Sequence, residues 1–208
     1  MKKILVLILA FALFSCNEKE VLLPEVDTTI VEIVENLSPI YIFFEVNGKD
    51  TIAELNRKNA ISSTNFIFNI DKRLPLKLVL PEVIKAVAKK EASAHKDSTS
   101  QNYYSYSNIK KKQLAFVPFT EIHYKIGKPS FGINIYFSKN QIVVNNVPVE
   151  KDKLEQYINL MPSDKPNKYF YCFDKNMTYG DYIKTKVFLS NLKFPVPTMN
   201  LQKEEYIY

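Results

Sequence analysis

Residues 168–182, KYFYCFDKNMTYGDY, decide how the second half of this chain folds. A run of apolar and aromatic residues over 169–173 leads directly into Asp174, and a second carboxylate follows at Asp181. Such a run predicts a buried β-strand. The two acids that follow it would either belong to a reactive site or stabilise the turn that leaves the strand.

The residues around the second acid favour the structural interpretation. Thr178 and Asp181 have the spacing of a capping box, in which a hydroxyl and a carboxylate satisfy exposed amides in the first turn of a helix. Asp174 stands where the strand must bend, and a short carboxylate there can accept a hydrogen bond from the turn backbone. The predicted turn and cap residues are Asp174, Lys175, Thr178, Tyr179, Gly180 and Asp181.

A similar stretch lies in the first half of the chain. Residues 66–72, FIFNIDK, match residues 169–175, YFYCFDK, which adds Asp71 and Lys72 to the predicted turn residues. The order of predicted elements is also the same in both halves: hairpin, short helix, aromatic strand, amphipathic helix and final strand. This self-similarity predicts duplication of one small α+β unit. A chance alignment of common strand and turn patterns is the alternative.

The first half begins with strand patterns and ends with a polar segment. Its predicted elements are strands over 30–34, 41–46, 66–70 and 114–119, a tight turn at Asn47-Gly48, and helices over 52–59 and 75–90. Pro81 either kinks the longer helix or begins it. Residues 91–112 are polar and lack periodicity, so we predict a mobile insertion there.

Residues 120–130 are predicted to link the first half to the second. The predicted elements that follow are strands over 133–137, 142–145, 169–173 and 199–201, and helices over 150–161 and from Thr178 onward.

The first residues of the chain have the layout of a signal peptide, since Lys2 and Lys3 precede an apolar run over 4–14. As a helix, that run would reach about 16 Å, roughly half the hydrocarbon thickness of a bilayer. We therefore predict that residues 1–15 are cleaved. The tetrad Leu-Phe-Ser-Cys ending at Cys16 resembles the lipobox of bacterial lipoproteins, which implies lipidation of Cys16 and a tether over 16–27. An ordinary secretory signal with a chance cysteine is the alternative.

Charge and cysteine content narrow the classes of function. Loss of Lys2 and Lys3 with the signal peptide lowers the formal net charge from +6 to +4, which is too small to indicate nucleic-acid binding. If Cys16 is lipidated, Cys172 is the one thiol left, and no intramolecular disulfide can form. Cys172 is then predicted to be a small apolar residue of a strand.

The sequence offers little catalytic chemistry. His95 and His123 are not spaced as metal ligands with each other or with Cys172. A chain with four glycines has no Gly-rich phosphate loop, and no serine elbow is present. We therefore predict a protein that is not an enzyme and binds no cofactor or metal.

The second half resembles the periplasmic domain of the ExbD/TolR family. The resemblance covers residues 131–208 and depends on a hairpin, a helix and the pattern Asp-Lys-x-x-x-Tyr-Gly at 174–180. Residues 28–119 resemble the same unit more loosely, through Asp71-Lys72 and Pro75. The expected organisation is therefore α+β, with two ExbD/TolR-like modules at 28–119 and 131–208.

Members of that family belong to the Ton and Tol energy-transducing complexes, where a membrane helix with an essential Asp couples to proton flow. Their periplasmic domains dimerise and contact TonB-like partners or the cell wall. This chain departs from the family because residues 4–14 contain no ionisable group and are too short to span a membrane. The resemblance implies the folded module without proton coupling.

Two hypotheses of function follow. In the first, a lipid-anchored, non-catalytic protein of the cell envelope, in the periplasm or at the outer membrane, binds a Ton/Tol-type protein, peptidoglycan or a second copy of itself through sheet edges. The free edge is expected beside residues 199–201. In the second, a small molecule or glycan binds in a cleft between the halves, with the tyrosine-rich residues 91–112 as a lid.

Overall fold

Strands make up most of the folded chain. The computed structural model describes residues 19–162, 167–194 and 199–208, without the side chains of residues 199 and 200. Within these ranges the protein is α+β, with two six-stranded sheets and three α-helices. The predicted signal peptide and Cys16 lie outside the described residues. No helix in the described ranges is long and apolar enough to cross a membrane.

The first sheet comes from the first half of the chain. Its strands are β1 (Glu25–Val26), β2 (Leu37–Asn47), β3 (Asp50–Asn56), β4 (Asn65–Ile70), β5 (Asn102–Asn108) and β6 (Gln113–Pro118). They lie in the order β1-β5-β4-β2-β3, and β6 also pairs with β5. Strands β2, β4 and β5 are parallel, and helix α1 (Leu76–Glu91) connects β4 to β5.

The second sheet comes from the second half. Its strands are β7 (His123–Ile126), β8 (Ile133–Phe137), β9 (Ile142–Val144), β10 (Val147–Val149), β11 (Asn167–Phe173) and β12 (Met199–Ile207), in the order β10-β9-β8-β11-β12-β7. A 3-10 turn (Lys151–Lys153) and helix α2 (Leu154–Asn159) follow the hairpin. Helix α3 (Tyr179–Ser190) connects β11 to β12.

The two halves have the same central strand order and directions. In each, an antiparallel hairpin is followed by two strands parallel to its first strand: β3-β2-β4-β5 in the first half and β9-β8-β11-β12 in the second. The helix between the last two strands is α1 in one half and α3 in the other. One hydrophobic core runs through both halves, and α3 contacts β1 and β6 of the first sheet.

Several predicted elements are confirmed, with small shifts at their ends. The strands over 41–46, 66–70, 114–119, 133–137, 142–145, 169–173 and 199–201 correspond to β2, β4, β6, β8, β9, β11 and β12. The turn at Asn47-Gly48 joins β2 to β3, and Gly48 supplies the positive φ of 63° that it needs. Helix α1 begins at Leu76 and continues through Pro81, its sixth residue, which has no amide hydrogen to donate to the Lys77 carbonyl.

Three predictions were wrong. Residues 52–59 do not form a helix, because the tight turn before them places residues 50–56 opposite β2 as strand β3. Residues 30–34 form no strand: Val31 makes a single bridge to Phe116, and Ile33 is 75% exposed. The predicted mobile insertion, 91–112, contains the whole of β5, which pairs with β4, β1 and β6.

The polar composition of residues 91–112 concealed a core strand. Tyr104 and Tyr106 bury their rings in the core, and buried Ser105 binds the side chain of Asn69 at 2.8 Å. Polar side chains can occupy a central strand in this way because each finds a hydrogen-bond partner. The predicted linker, 120–130, likewise contains an element of the fold, since its strand β7 pairs with β12.

Candidate functional site

The predicted turn residues of the two halves meet each other. Pro75 and Thr178 form an antiparallel bridge, and the backbone hydrogen bonds around it occur in matched pairs. Leu76 N donates to Met177 O at 3.0 Å, and Tyr179 N donates to Leu74 O at 2.7 Å. The first helical amides of α1 and α3 are therefore satisfied by carbonyls from the opposite half.

A second pair of hydrogen bonds repeats this exchange. Lys77 N donates to Lys175 O at 2.9 Å, and Gly180 N donates to Lys72 O at 3.0 Å. Each residue lies 103 positions from its counterpart, so the two turns are related by an approximate two-fold axis. A Cβ on Gly180 would lie 3.1 Å from the Cβ of Lys72, which explains the glycine at this crossing.

The two turn acids have different surroundings. Asp71 is fully buried and accepts hydrogen bonds from the backbone of Leu22 and Arg73 and from the Arg73 guanidinium, at 2.8–3.2 Å. Burial opposes ionisation of Asp71, but these hydrogen bonds outweigh it and lower the pKa below its ordinary value. Asp174 is half-buried, and its side chain accepts from Asn176 N at 2.8 Å.

Thr178 caps helix α3. Its Oγ1 accepts from Asp181 N at 3.1 Å and donates to Asp181 Oδ2 at 2.8 Å. The bonds made by Asp71, Asp174, Thr178 and Asp181 are those of turns and a helix cap. Each of these bonds lies within one half, and the hydrogen bonds between the halves at the turns are the backbone pairs.

A chain of buried hydroxyls crosses the same boundary. Tyr104 and Tyr124 are 2.7 Å apart at their hydroxyls, Tyr124 and Tyr182 are 3.2 Å apart, and Tyr182 donates to Glu205 Oε2 at 2.8 Å. Each phenol has one proton, so Tyr124 must donate to Tyr182, and Tyr104 to Tyr124. All three hydroxyls therefore point toward the Glu205 carboxylate, which also pairs with Lys186.

Glu205 is 1% exposed, and the Lys186 side chain is 12% exposed. Burial raises the pKa values of the Tyr104, Tyr124 and Tyr182 phenols well above the ordinary value for tyrosine. The three phenols therefore stay protonated and can donate hydrogen bonds. The hydroxyl chain donates to a buried carboxylate whose charge Lys186 compensates, and it connects β12 and α3 of the second half to β5 of the first. This arrangement is typical of a structural network in which each group is satisfied.

A cavity of about 330 Å³ lies beside this network, between α1 and β7. Its volume is at the lower end of the range for ligand pockets, roughly 300–1,000 Å³. Its apolar lining is Val83, Ile84, Val87, Ala88, Phe119 and Ile122. Its polar lining is Asn102, Thr120, His123, Tyr124 and Lys125. The exposed side chains of His123 and Lys125 place its mouth at the surface.

A buried lysine stands behind the cavity. Lys90 is 1% exposed, and its Nζ donates to Gln101 O at 3.0 Å and to Asn102 Oδ1 at 3.1 Å. Burial lowers the pKa of Lys90 to about 8. Among the described residues it has no carboxylate partner, because nearby Glu91 pairs with Lys96. A charged group thus lies in the interior with neutral partners, which is costly in the absence of an anion.

Of the remaining candidate groups, Cys172 and His95 do not line this cavity. Cys172 is buried in β11, and burial raises its pKa to about 12, as expected for an inert apolar residue. His95 and His123 are exposed. No group of three or more metal-ligating side chains is present in the part of the chain that the structure describes.

The sequence analysis missed the residues that build the cavity. Asn102 lies inside the segment that was predicted to be mobile, Lys90 borders that segment, and Tyr124 lies in the predicted linker. One usable signal was the lysine at position 90 on the apolar face of α1, where a charged residue interrupts the pattern. No protein-family model, curated protein or solved structure matches this chain.

Proposed function

We propose that the chain is a lipid-anchored, non-catalytic binding protein of the bacterial cell envelope, built from two ExbD/TolR-like modules. In this proposal its partner is an envelope protein of a Ton/Tol-type system, held by strand addition. The observation that carries the proposal is a free sheet edge, that of β7, which borders a cavity.

The module assignment is supported by the shared strand order of the two halves and by the paired turns. The order β3-β2-β4-β5 corresponds strand for strand to β9-β8-β11-β12. The Asp-Lys pattern that carries the family resemblance lies at the same place in both halves, directly after β4 in the first and directly after β11 in the second. The match between the two halves thus includes directions and connections as well as sequence.

Strand β7 is the edge that supports partner binding. It pairs with β12 over Glu204–Ile207, and no described strand pairs with its other side. Three of its four residues are exposed, including Ile126 at 80%. An edge strand offers unpaired backbone groups to a partner strand, and a neighbouring cavity can accept one of its side chains. On the side of β12 that β7 covers from Glu204 onward, no described strand lies beside residues 199–203, which include the edge predicted beside residues 199–201.

The cleft hypothesis finds less support in the form that has a tyrosine-rich lid. It required residues 91–112 to act as a lid and Tyr103, Tyr104 or Tyr106 to line the cleft. Those tyrosines belong to the sheet strand β5, and Tyr104 and Tyr106 are fully buried. Partner binding at β7 therefore agrees better with the geometry.

A single backbone amide provides the test of strand addition. Gly127 N donates to Ile207 O at 2.8 Å, and amides alternate in direction along a strand, so Ile126 N points away from β12. The change Ile126→Pro removes this outward donor and leaves the pairing with β12 in place. The control Ile126→Val keeps the donor.

The measurement is recovery of envelope proteins and cell-wall fragments by the chain from residue 17 onward, which retains every described residue. We expect one specific envelope protein to be recovered with Ile126→Val and lost with Ile126→Pro. Recovery of cell-wall material instead would assign the site to peptidoglycan. Recovery of neither, or equal recovery by both variants, would contradict strand addition at β7.

The lipid anchor has a separate test. The change Cys16→Ala removes the acylated thiol, so the protein should move from the membrane fraction to the soluble envelope fraction. Cys172→Ala is the control, because that thiol is buried in β11. Unchanged membrane association of Cys16→Ala would argue against lipidation.

A further inference from the structure

We propose that the cavity between α1 and β7 binds an apolar group that carries a carboxylate. The apolar lining would hold the hydrocarbon part, and the polar groups at the floor and mouth would hold the anion. This inference deepens the proposed function, since the ligand would be either the apolar C-terminal residue of a partner peptide or a free fatty acid.

The lining of the cavity has only one sign of charge. His123 and Lys125 stand at its mouth, and none of its lining residues is acidic. Glu205 is the nearest buried acid connected to the site, through Tyr124 and Tyr182, but it is paired with Lys186. Cationic and hydrogen-bond-donating groups next to an apolar wall favour an anionic ligand with an apolar part.

Asn102 is the residue at the floor whose orientation is determined by its neighbours. Its backbone is held at both ends: Asn102 N donates to Thr120 Oγ1 at 2.7 Å, and Phe119 N donates to Asn102 O at 3.0 Å. The ammonium of Lys90 can only donate, so it must face Asn102 Oδ1 and not the amide nitrogen.

The other end of the Asn102 amide is therefore a donor. Within the described ranges Asn102 Nδ2 has no acceptor, and Asn102 lines the cavity. The Thr120 hydroxyl has accepted from Asn102 N and retains its own proton for donation. Two donors at the floor suit a carboxylate, which accepts through both oxygens.

Lys90 acts as a positioning residue behind Asn102. It orients the amide and places a positive charge one residue away from the cavity; in the described ranges this charge lies over the Phe66 ring and is hydrogen-bonded to no carboxylate. A carboxylate in the cavity would compensate that charge across Asn102, which a neutral ligand cannot do.

The test compares matched ligands in which a carboxylate is replaced by a neutral polar group. We would measure the affinity of the chain from residue 17 onward for octanoate and for 1-octanol by calorimetry. A second pair is a pentapeptide ending in Phe with a free carboxylate and the same peptide with a C-terminal amide. At least one carboxylate form should bind about tenfold or more tightly than its neutral partner, as expected for charge-assisted hydrogen bonds.

The decisive variant is Asn102→Asp. It keeps an acceptor for Lys90 and replaces the free amide donor with a carboxylate oxygen, so the fold should be retained. We expect carboxylate affinity to fall about tenfold or more and 1-octanol affinity to stay unchanged. Lys125→Met should weaken carboxylate binding by a smaller factor, and Lys128→Met, which lies outside the cavity, should have no effect.

Three outcomes would overturn the inference. They are equal affinities within both ligand pairs, no binding of any of the four ligands, and unchanged octanoate and peptide affinity in Asn102→Asp. Preference for the free-carboxylate peptide over its amide would identify a partner's C-terminus as the source, and preference for octanoate alone would identify a fatty acid. Loss of the partner in Ile126→Pro with no carboxylate preference would leave the proposed function standing without this inference.

Discussion

In the first half of the chain Asp71 is fully buried and its carboxylate binds Arg73, whereas in the second half Asp174 is half-buried and accepts a hydrogen bond from the backbone of Asn176. Asp71 follows β4, Asp174 follows the corresponding strand β11, and both acids begin the same turn. The difference shows that burial decides what a turn acid needs: a backbone amide is enough for a half-buried acid, and a fully buried acid requires a counter-ion.

A second pair of equivalent positions has diverged further. The register sets Tyr104 opposite Phe68 in the first sheet and Glu205 opposite Tyr171 in the second. Both side chains point into the shared core, and Tyr124 and Tyr182 connect them. Substitutions at the two members of an equivalent pair should therefore change the free energy of unfolding by different amounts.

The largest expected effect concerns Glu205 and Tyr104. The change Glu205→Ala leaves Lys186 without its carboxylate in the interior, and we expect the free energy of unfolding to fall by about 3–5 kcal/mol. Tyr104→Phe removes one hydroxyl and should cost about 1 kcal/mol. Urea unfolding measures both, with Glu204→Ala as a half-buried control. Equal costs for Glu205→Ala and Tyr104→Phe would contradict the network.

The next largest effect compares the turn acids. We expect Asp71→Asn to cost about 2–3 kcal/mol because it removes a buried charge that holds the Arg73 guanidinium. Asp174→Asn should cost less than about 1 kcal/mol, since an amide oxygen can still accept from Asn176 N. Denaturant unfolding of the two variants checks the difference. A larger cost for Asp174→Asn than for Asp71→Asn would contradict the role of burial at the two acids.

The third comparison uses the buried lysine and its counterpart 103 residues later, the exposed Lys193. The pKa of Lys90 is lower in the folded chain, at about 8, than in the unfolded chain, at about 10.4. Between these two pKa values the unfolded state therefore binds more protons than the folded state. Lys90 thus makes the free energy of unfolding increase as the pH rises through this range.

This contribution should disappear in Lys90→Met and persist in Lys193→Met. The measurement is the free energy of unfolding at pH 7 and pH 10, with each variant compared with the unchanged chain. Tyrosine ionisation also contributes to the pH dependence of the free energy of unfolding. All three proteins have the same tyrosines, so the comparison removes this contribution. If Lys90→Met and Lys193→Met show the same pH dependence, the amine of Lys90 is not buried in solution.

The smallest expected effect concerns the two helix starts. Thr178 caps α3 through its side chain, whereas Pro75 at the start of α1 makes no such bond. Thr178→Ala should cost about 1 kcal/mol, and Thr178→Ser should cost only a few tenths, because serine also caps well. Thermal unfolding would detect the difference. A cost near zero for Thr178→Ala would mean that the exchanged backbone hydrogen bonds suffice for α3, as they do for α1.

The local chemistry of turns and strands could be predicted from the sequence. The Asn47-Gly48 turn, the apolar strands β4 and β11, and the Thr178 cap depend on residues close together in the chain, so short-range patterns contain the necessary information. The amphipathic spacing of α1 is predictable for the same reason.

Elements whose residues are stabilised by distant partners could not be predicted in this way. Strand β5 is polar by composition, and it is a strand because β4, β1 and β6 lie on both sides of it. The cavity depends on the approach of β7 to α1, and the donor face of Asn102 depends on Lys90. None of these contacts leaves a periodic pattern in the sequence.

The sequence by itself determined the α+β class, the Asp-Lys turn that recurs in both halves and the main apolar strands, because these follow from hydrophobic periodicity and local hydrogen bonding. Tertiary structure alone decided that the two turns exchange hydrogen bonds, that Asp71 is buried and Asp174 is not, and that a cavity with basic groups and donors lies at β7. The physical reason is that burial and charge compensation depend on which distant segments come together.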